Sequence, residues 1–254
     1  MSGIANILIS HQRADAVSRM VEWWRELTNV GTILVAYGGS REEFEKLSGF
    51  DKVYVDDDRL RVADAQRERQ SYESVFRAAE QWLEASGCAF VHLTEFDELP
   101  LVYDLLERKR VLLEEMEADV IGYNLRRVDG THHAHYQWHM STPSCLSDFR
   151  DFSVRKDSGI ILSMYGFGSF WRTKCFREVG SVHLPQDVYL EIAIPSVAHH
   201  LGFRVKSIDG QGSFMSPFRE FSTRREIAAA RNAGAWSLHS VKIAWRKPEL
   251  LEGL

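Results

Sequence analysis

Residues 88–100 read Cys88-Ala89-Phe90-Val91-His92-Leu93-Thr94-Glu95-Phe96-Asp97-Glu98-Leu99-Pro100. Cys88 to Leu93 is short and mainly apolar, which predicts a buried strand. It opens directly onto three carboxylates, Glu95, Asp97 and Glu98. In an open, parallel α/β sheet, ligands bind outside the carboxyl ends of the strands. A strand that delivers acids to that edge is therefore a candidate site, provided the rest of the chain builds such a sheet.

The flanking sequence predicts one. Upstream, Ile4–Ser10, Thr32–Tyr37 and Lys52–Val55 are apolar, β-branched runs that read as strands. Between them, residues 15–27 carry Val17, Met20, Val21, Trp24 and Leu27 at helical spacing, with Asp15 placed to cap or complement the first turn. Residues 41–47 read as a short helix, and 70–86 as a long one that Gly87 ends. Downstream, 104–116 reads as a helix and 119–125 as a strand. Alternating strand and helix predict an α/β fold with a mixed, mostly parallel sheet flanked by helices. Beyond residue 128 the pattern loosens. Residues 129–158 read as a long loop, order resumes over 165–180, a helix over 188–201 must be kinked or divided at Pro195, and 203–208 reads as a strand.

Composition bounds the function. The chain has 254 residues, 44% of them hydrophobic and 26% charged, which excludes global disorder and fibrous structure. A net charge of −5 gives no general electrostatic reason to bind nucleic acid. Three widely separated cysteines predict reduced thiols. No leader and no membrane span is read, so a cytoplasmic protein is expected. Phosphate loops of the GxxxxGK[ST] type, a GxGxxG after a strand and a GxSxG elbow are all missing from the sequence.

Glu95 and Asp97 are two apart, so in an extended segment both side chains face one way. Hard divalent cations take oxygen ligands, often one or two carboxylates with substrate phosphates. A solvated acidic turn is the bland alternative. Here the chain resembles a known group. Glu95-Phe96-Asp97-Glu98 is similar to the DxD region of glycosyltransferases with the GT-A fold, with Glu95 standing where aspartate is usual. Ser10-His11-Gln12-Arg13 resembles that group's first nucleotide-contacting segment, and Gly38 and Asp56 stand where its second and third strands end. Tyr165–Gly180 resembles the acceptor-side segment, Leu184–Glu191 the helix with the catalytic acid pair, and Trp236–Lys242 the segment whose histidine completes the metal site.

The resemblance implies one domain over 1–254, with a nucleotide-binding half, 1–125, and an acceptor-side half, 126–254. It implies Mn²⁺ or Mg²⁺ at Asp97, with Glu95 adjacent and His239 closing the site. Ser10, His11, Arg13, Gly38, Asp56, Glu95 and Phe96 would meet a nucleotide-sugar donor. Arg67 and Arg69, placed before the long helix, would meet phosphate. Asp187 would be the base that deprotonates the acceptor in an inverting hexosyltransferase, with Glu191 one turn on as its substitute. A helix-capping role is the plain alternative for Asp187. The acceptor would be a glycan, a lipid-linked molecule or a protein.

Two other readings stand beside this one. A non-catalytic protein on a sugar-nucleotide fold would bind a ligand without turning it over. A metal hydrolase would rest on Thr131-His132-His133-Ala134-His135-Tyr136-Gln137-Trp138-His139, where four histidines fall within eight positions. That tract lacks the spacing of a zinc motif and also suits an acceptor surface.

Overall fold

The computed structural model describes residues 3–28, 30–57, 60, 72–140, 145–155, 159–184, 188–208, 223–241 and 248–251, excepting the side chains of 72, 138–140 and 145–147. The apolar runs form strands: β1 (Ile4–Ser10), β2 (Thr32–Tyr37), β3 (Asp51–Tyr54) and β4 (Phe90–Glu95). Between them lie α1 (Ala14–Leu27), α2 (Arg41–Lys46) and α3 (Tyr72–Ser86). There follow β5 (Leu99–Pro100), α4 (Leu105–Glu115), β6 (Val120–Gly122), β7 (Arg126–Arg127), α5 (Ala134–Met140) and α6 (Cys145–Phe152). The chain continues with β8 (Leu162–Ser163), β9 (Ser169–Arg172), α7 (Thr173–Ser181), α8 (Leu190–His200), β10 (Val205–Ser207), α9 (Arg224–Asn232) and β11 (Ser237–Leu238).

Seven strands make one sheet in the order β10-β6-β9-β4-β1-β2-β3. Every neighbouring pair is parallel except those of β9, which runs antiparallel to both β4 and β6. The expected class is thus present: α/β, with a mixed, mostly parallel sheet flanked by helices. Strands from both sides of residue 125 enter this sheet, and two small antiparallel pairs, β5–β11 and β7–β8, sit beside it.

The period of two sorts the strand residues between two cores. Ala5 and Ile7 of β1, with Val91 and Leu93 of β4, pack in a buried cluster with Val75, Phe76 and Ala79 of α3 and Ile192 and Ile194 of α8. Leu8 of β1 faces the other way, toward Val17, Met20 and Trp24 of α1, Leu105 and Leu106 of α4 and Ile227 of α9.

Local chemistry fixes the helix ends. The Ser40 hydroxyl accepts from Glu43 N (3.3 Å) at the start of α2, and Thr223 with Glu226 forms a capping box on α9. Asp15 complements rather than caps α1: it pairs with Arg19 at 3.0 Å, one turn on. Gly87 ends α3 in the left-handed region, at φ +62°.

Two expectations need correction. The segment expected as a loop contains α5 and α6, because Tyr136 and Phe149 are buried and pin these short helices. Of the two alternatives for Pro195, a kink or a division, division is overturned: α8 runs through it. Proline lacks the N–H that would bond the carbonyl of Glu191, and that carbonyl instead accepts Met164 N at 2.9 Å. The orphaned acceptor is satisfied by the residue that follows β8.

A candidate active site at the carboxyl edge of the central strands

From β1 the chain passes to β2 on one side, while β4 joins β1 on the other, so the strand order reverses at β1/β4. Open α/β sheets bind ligands in the crevice at such a point. Ile9 of β1 pairs in register with Glu95 of β4 there. Both line a cavity of about 60 Å³, with His11, Phe96, Gly166 and Leu190 among its other walls.

Glu95 and Asp97 do not share a side. Glu98 N donates to Glu95 O at 3.1 Å, which closes a turn over 95–98 and ends the extended geometry that the two-residue spacing presupposes. Glu95 continues the strand alternation, on the same face as Leu93, and lines the cavity. Asp97 turns instead to the C-terminal segment. It is only 3% exposed. Ser240 Oγ donates to Asp97 Oδ2 at 2.8 Å, and His239 Nε2 lies 3.3 Å from Asp97 Oδ1. The His239 ring is stacked on Phe167, centroids 3.6 Å apart and planes within 6°. The backbone holds this segment too: Val241 N donates to Asp97 O and Leu101 N to Trp236 O, each at 2.9 Å. Between those bonds β5 pairs with β11.

This donor set fits a divalent cation in part. Two ligand atoms about 2.1 Å from one octahedral ion stand about 3 Å apart, close to the observed separation of Asp97 Oδ1 and His239 Nε2. A carboxylate and an imidazole would leave the other positions for phosphate oxygens and water. Glu95 does not join them as the resemblance implies: among the described residues no group of three His, Cys, Asp or Glu is arranged to hold a metal.

The expected nucleotide residues gather at the same edge. Ser10 is buried, its hydroxyl accepting Gln12 N at 3.2 Å and its carbonyl accepting Gly38 N at 2.9 Å. The His11 ring meets Phe96 edge-on at 4.9 Å. A Cβ on Gly38 would come within 2.6 Å of the Leu60 side chain, so glycine makes room for that side chain. Asp56 is exposed at the end of β3, while its neighbour Asp57 is buried. Arg13 is exposed and faces Asp15 at 3.4 Å. The start of α1 is already occupied by an anion, since Ala14 N donates to Glu43 Oε2 at 2.7 Å; this bond, first, and Lys46 hold the Glu43 carboxyl below its ordinary range. Glu191 lies in the first turn of α8, beside Leu190. Arg61, Arg67, Arg69, Gln186 and Asp187 lie outside the described residues. His183, close to Asp187 in sequence, pairs with Glu73 at 2.9 Å.

In the histidine tract, the rings of His133 and His135 are 5.5 Å apart, and His135 packs on Tyr189 at 4.1 Å. His132 is exposed; the side chains of Trp138 and His139 lie outside the described residues. His133 is held below its ordinary pKa by burial and by Arg126.

One constellation was missed from sequence. Behind the acidic turn, Lys109 of α4 is wholly buried together with Asn6, His92, Thr94 and Glu98. The readable signals were polar residues inside apolar elements: Asn6 in β1, His92 in β4, and Lys109 on the helix face of Leu105, Leu106, Leu112 and Leu113.

No family model and no curated protein matches the sequence. The structure is similar to several solved ones. The bifunctional IspDF of Campylobacter jejuni aligns with 83% of this chain and 50% of its own, at 10% identity and a TM-score of 0.47. The mannosyltransferase PcManGT of Pyrobaculum calidifontis, in complex with GDP-Man and Mn²⁺, aligns with 81% of this chain and 54% of its own, at 11% identity and a TM-score of 0.46. A 2-C-methyl-D-erythritol 4-phosphate cytidylyltransferase of Thermus thermophilus aligns over 92% and 98%, at 12% identity and a TM-score of 0.43. The chain spans about half the length of the first two. Likenesses this distant do not bear on activity, and the fold stands on its own strand order. No helix among the described residues is long and apolar enough to cross a membrane.

Proposed function

We propose that the protein moves a sugar, as a hexosyl group, from a nucleotide diphosphate donor to an acceptor hydroxyl, with Mn²⁺ or Mg²⁺ held by Asp97 and His239. The observation that carries this reading is the pairing of a nearly buried carboxylate with an imidazole, 3.3 Å apart, beside the point where the strand order reverses. When bound, the cation would neutralise charge that builds on the leaving nucleoside diphosphate.

The chain's own groups take the remaining roles. The Ser240 hydroxyl and the backbone of Val241 hold Asp97 in place. Ser10, His11, Gly38 and Asp56, at the ends of three adjacent strands, meet the nucleotide, and Phe96 and Glu95 border the sugar. Arg13, Arg67 and Arg69 supply positive charge for phosphate. Asp187, or Glu191 in its stead, takes the proton from the acceptor hydroxyl on the face opposite the leaving group, an inverting reaction. The acceptor is a glycan, a lipid-linked molecule or a protein.

The test is a thermal-shift screen of UDP- and GDP-sugars with and without Mn²⁺, followed by assay of donor hydrolysis. Selective binding raises Tm by mass action. A Mn²⁺-dependent rise that Asp97→Asn abolishes supports the reading. Absence of nucleotide binding in Mn²⁺, or a rise unchanged in Asp97→Asn, overturns it.

A further inference from the structure

We propose that Lys109 is the positioning residue of the acidic turn: from inside the molecule its ammonium ties Glu98 to Gly168 and so fixes the two loops that carry the site. The inference rests on the functional reading of that turn.

Lys109 has three N–H donors, and three acceptors surround it. They are His92 Nε2 at 2.9 Å, Gly168 O at 2.9 Å and Glu98 Oε1 at 3.3 Å. The other Glu98 oxygen accepts from the Thr94 hydroxyl. Because His92 accepts at Nε2, its proton sits on Nδ1 and is donated to Asn6 Oδ1 at 2.8 Å. Burial, and then the Lys109 charge, hold His92 well below its ordinary pKa, consistent with the neutral ring this pattern requires.

The two tied loops are those of the site. Glu98 follows Asp97 directly. Gly168 follows Phe167, on which His239 is stacked, and Gly166 sits where an added Cβ would come within 3.3 Å of Glu95 Oε1. Gly168 is itself left-handed, at φ +64°, and a Cβ there would stand 2.9 Å from Glu98 Oε1. The loops therefore touch, and a side chain at 168 would part them. Stability alone does not call for a cation here. The same face of α4 is otherwise leucine, and apolar replacements of a buried ion pair are often neutral or stabilising. An apolar pair would fill the space yet leave the Gly168 carbonyl and the acidic turn without a common tether.

The experiment compares Glu98→Leu, Lys109→Met and the double variant. It reads Tm, Mn²⁺ affinity in the presence of UDP or GDP from the EPR signal of free Mn²⁺, and hydrogen exchange at the Val241 amide, which is bonded to Asp97 O. Each single variant melts lower, because one charge is stranded. The double variant strands no charge and melts above either single variant, although the Gly168 carbonyl, His92 Nε2 and the Thr94 hydroxyl lose these partners. Its Mn²⁺ affinity nonetheless falls on the order of tenfold, and Val241 exchange quickens by about as much. A double variant with parental Mn²⁺ affinity and exchange overturns the proposal. If the parent binds no Mn²⁺ with either nucleotide, the functional reading fails, and exchange at Val241 alone still decides the role of Lys109. Should the double variant not fold, Lys109→Met, which removes the donor of all three bonds, is measured below its own Tm with the same readouts; Mn²⁺ affinity and exchange both at parental values would then refute the tether.

Discussion

Glu98 and Asp97 are neighbours in one turn, yet their surroundings have little in common. Glu98 is sealed from solvent and meets a lysine and a threonine hydroxyl, both from elements close by in sequence. Asp97 is met by a hydroxyl and an imidazole that arrive from residues 240 and 239. The first carboxylate is matched by a lysine of the chain itself, whereas the second is met by a hydroxyl and an imidazole. The turn thus sorts its acids into one turned inward to Lys109 and one turned to the C-terminal segment, and Glu95 goes a third way, to the cavity.

The two acids differ most in what their loss does to stability. Glu98→Leu strands the Lys109 charge, and removing one partner of a buried ion pair costs about 3–5 kcal/mol. Calorimetry should show Tm falling by roughly 10 °C, at about 2–4 °C per kcal/mol for a chain of this size. Asp97→Asn should move Tm far less. Equal losses in the two variants would mean that the acids are not sorted.

Asp97→Asn is next in size. Donor affinity in Mn²⁺ should drop on the order of 10²-fold, about 2.7 kcal/mol, measured by titration calorimetry. Without metal the variant and the parent should bind alike.

Acid acts on three histidines of the fold. His92 and His200 are held below the ordinary imidazole value chiefly by burial. His199 is lowered to about 4, by burial first and Arg155 second. Below pH about 6.5 the unfolded chain binds protons that the folded one refuses, so stability is present above that pH and is lost as pH falls toward 4. Tm should be lower at pH 5 than at pH 7 by about 3 °C or more. An unchanged Tm would show that these rings take up protons without cost.

The smallest expected effect belongs to Glu95. It is partly exposed at the rim of the cavity, so Glu95→Gln should change stability by no more than about 0.5 kcal/mol. A larger loss, by thermal melt, would move Glu95 into the structural class with Glu98.

The sheet was legible because β1, β2 and β4 are short, mainly apolar runs whose burial on both faces leaves little choice of class. The edge at which a candidate site was sought follows from the same reading, since a parallel strand has only one carboxyl end. The aim of each acid was not. It depends on one backbone bond, Glu98 N to Glu95 O, which spacing does not reveal. The second half was harder because its helices are short and rich in His, Ser and Asp, and because the proline in α8 is tolerated only through a long-range bond from Met164. Lys109 escaped since a lysine on a helix is ordinarily solvated; its spacing among four leucines was the available clue.

The pairing of Leu99 with Leu238 joins positions about 140 apart in the chain. Closing so long a loop is entropically costly and slow compared with pairing β1 to β2. The sheet can therefore form while the segment bearing His239 is still undocked, a state with native strands and an unfinished centre. During refolding, burial of the tryptophans on the sheet should precede the ability to take up Mn²⁺, and the interval between the two would time the arrival of the final strand.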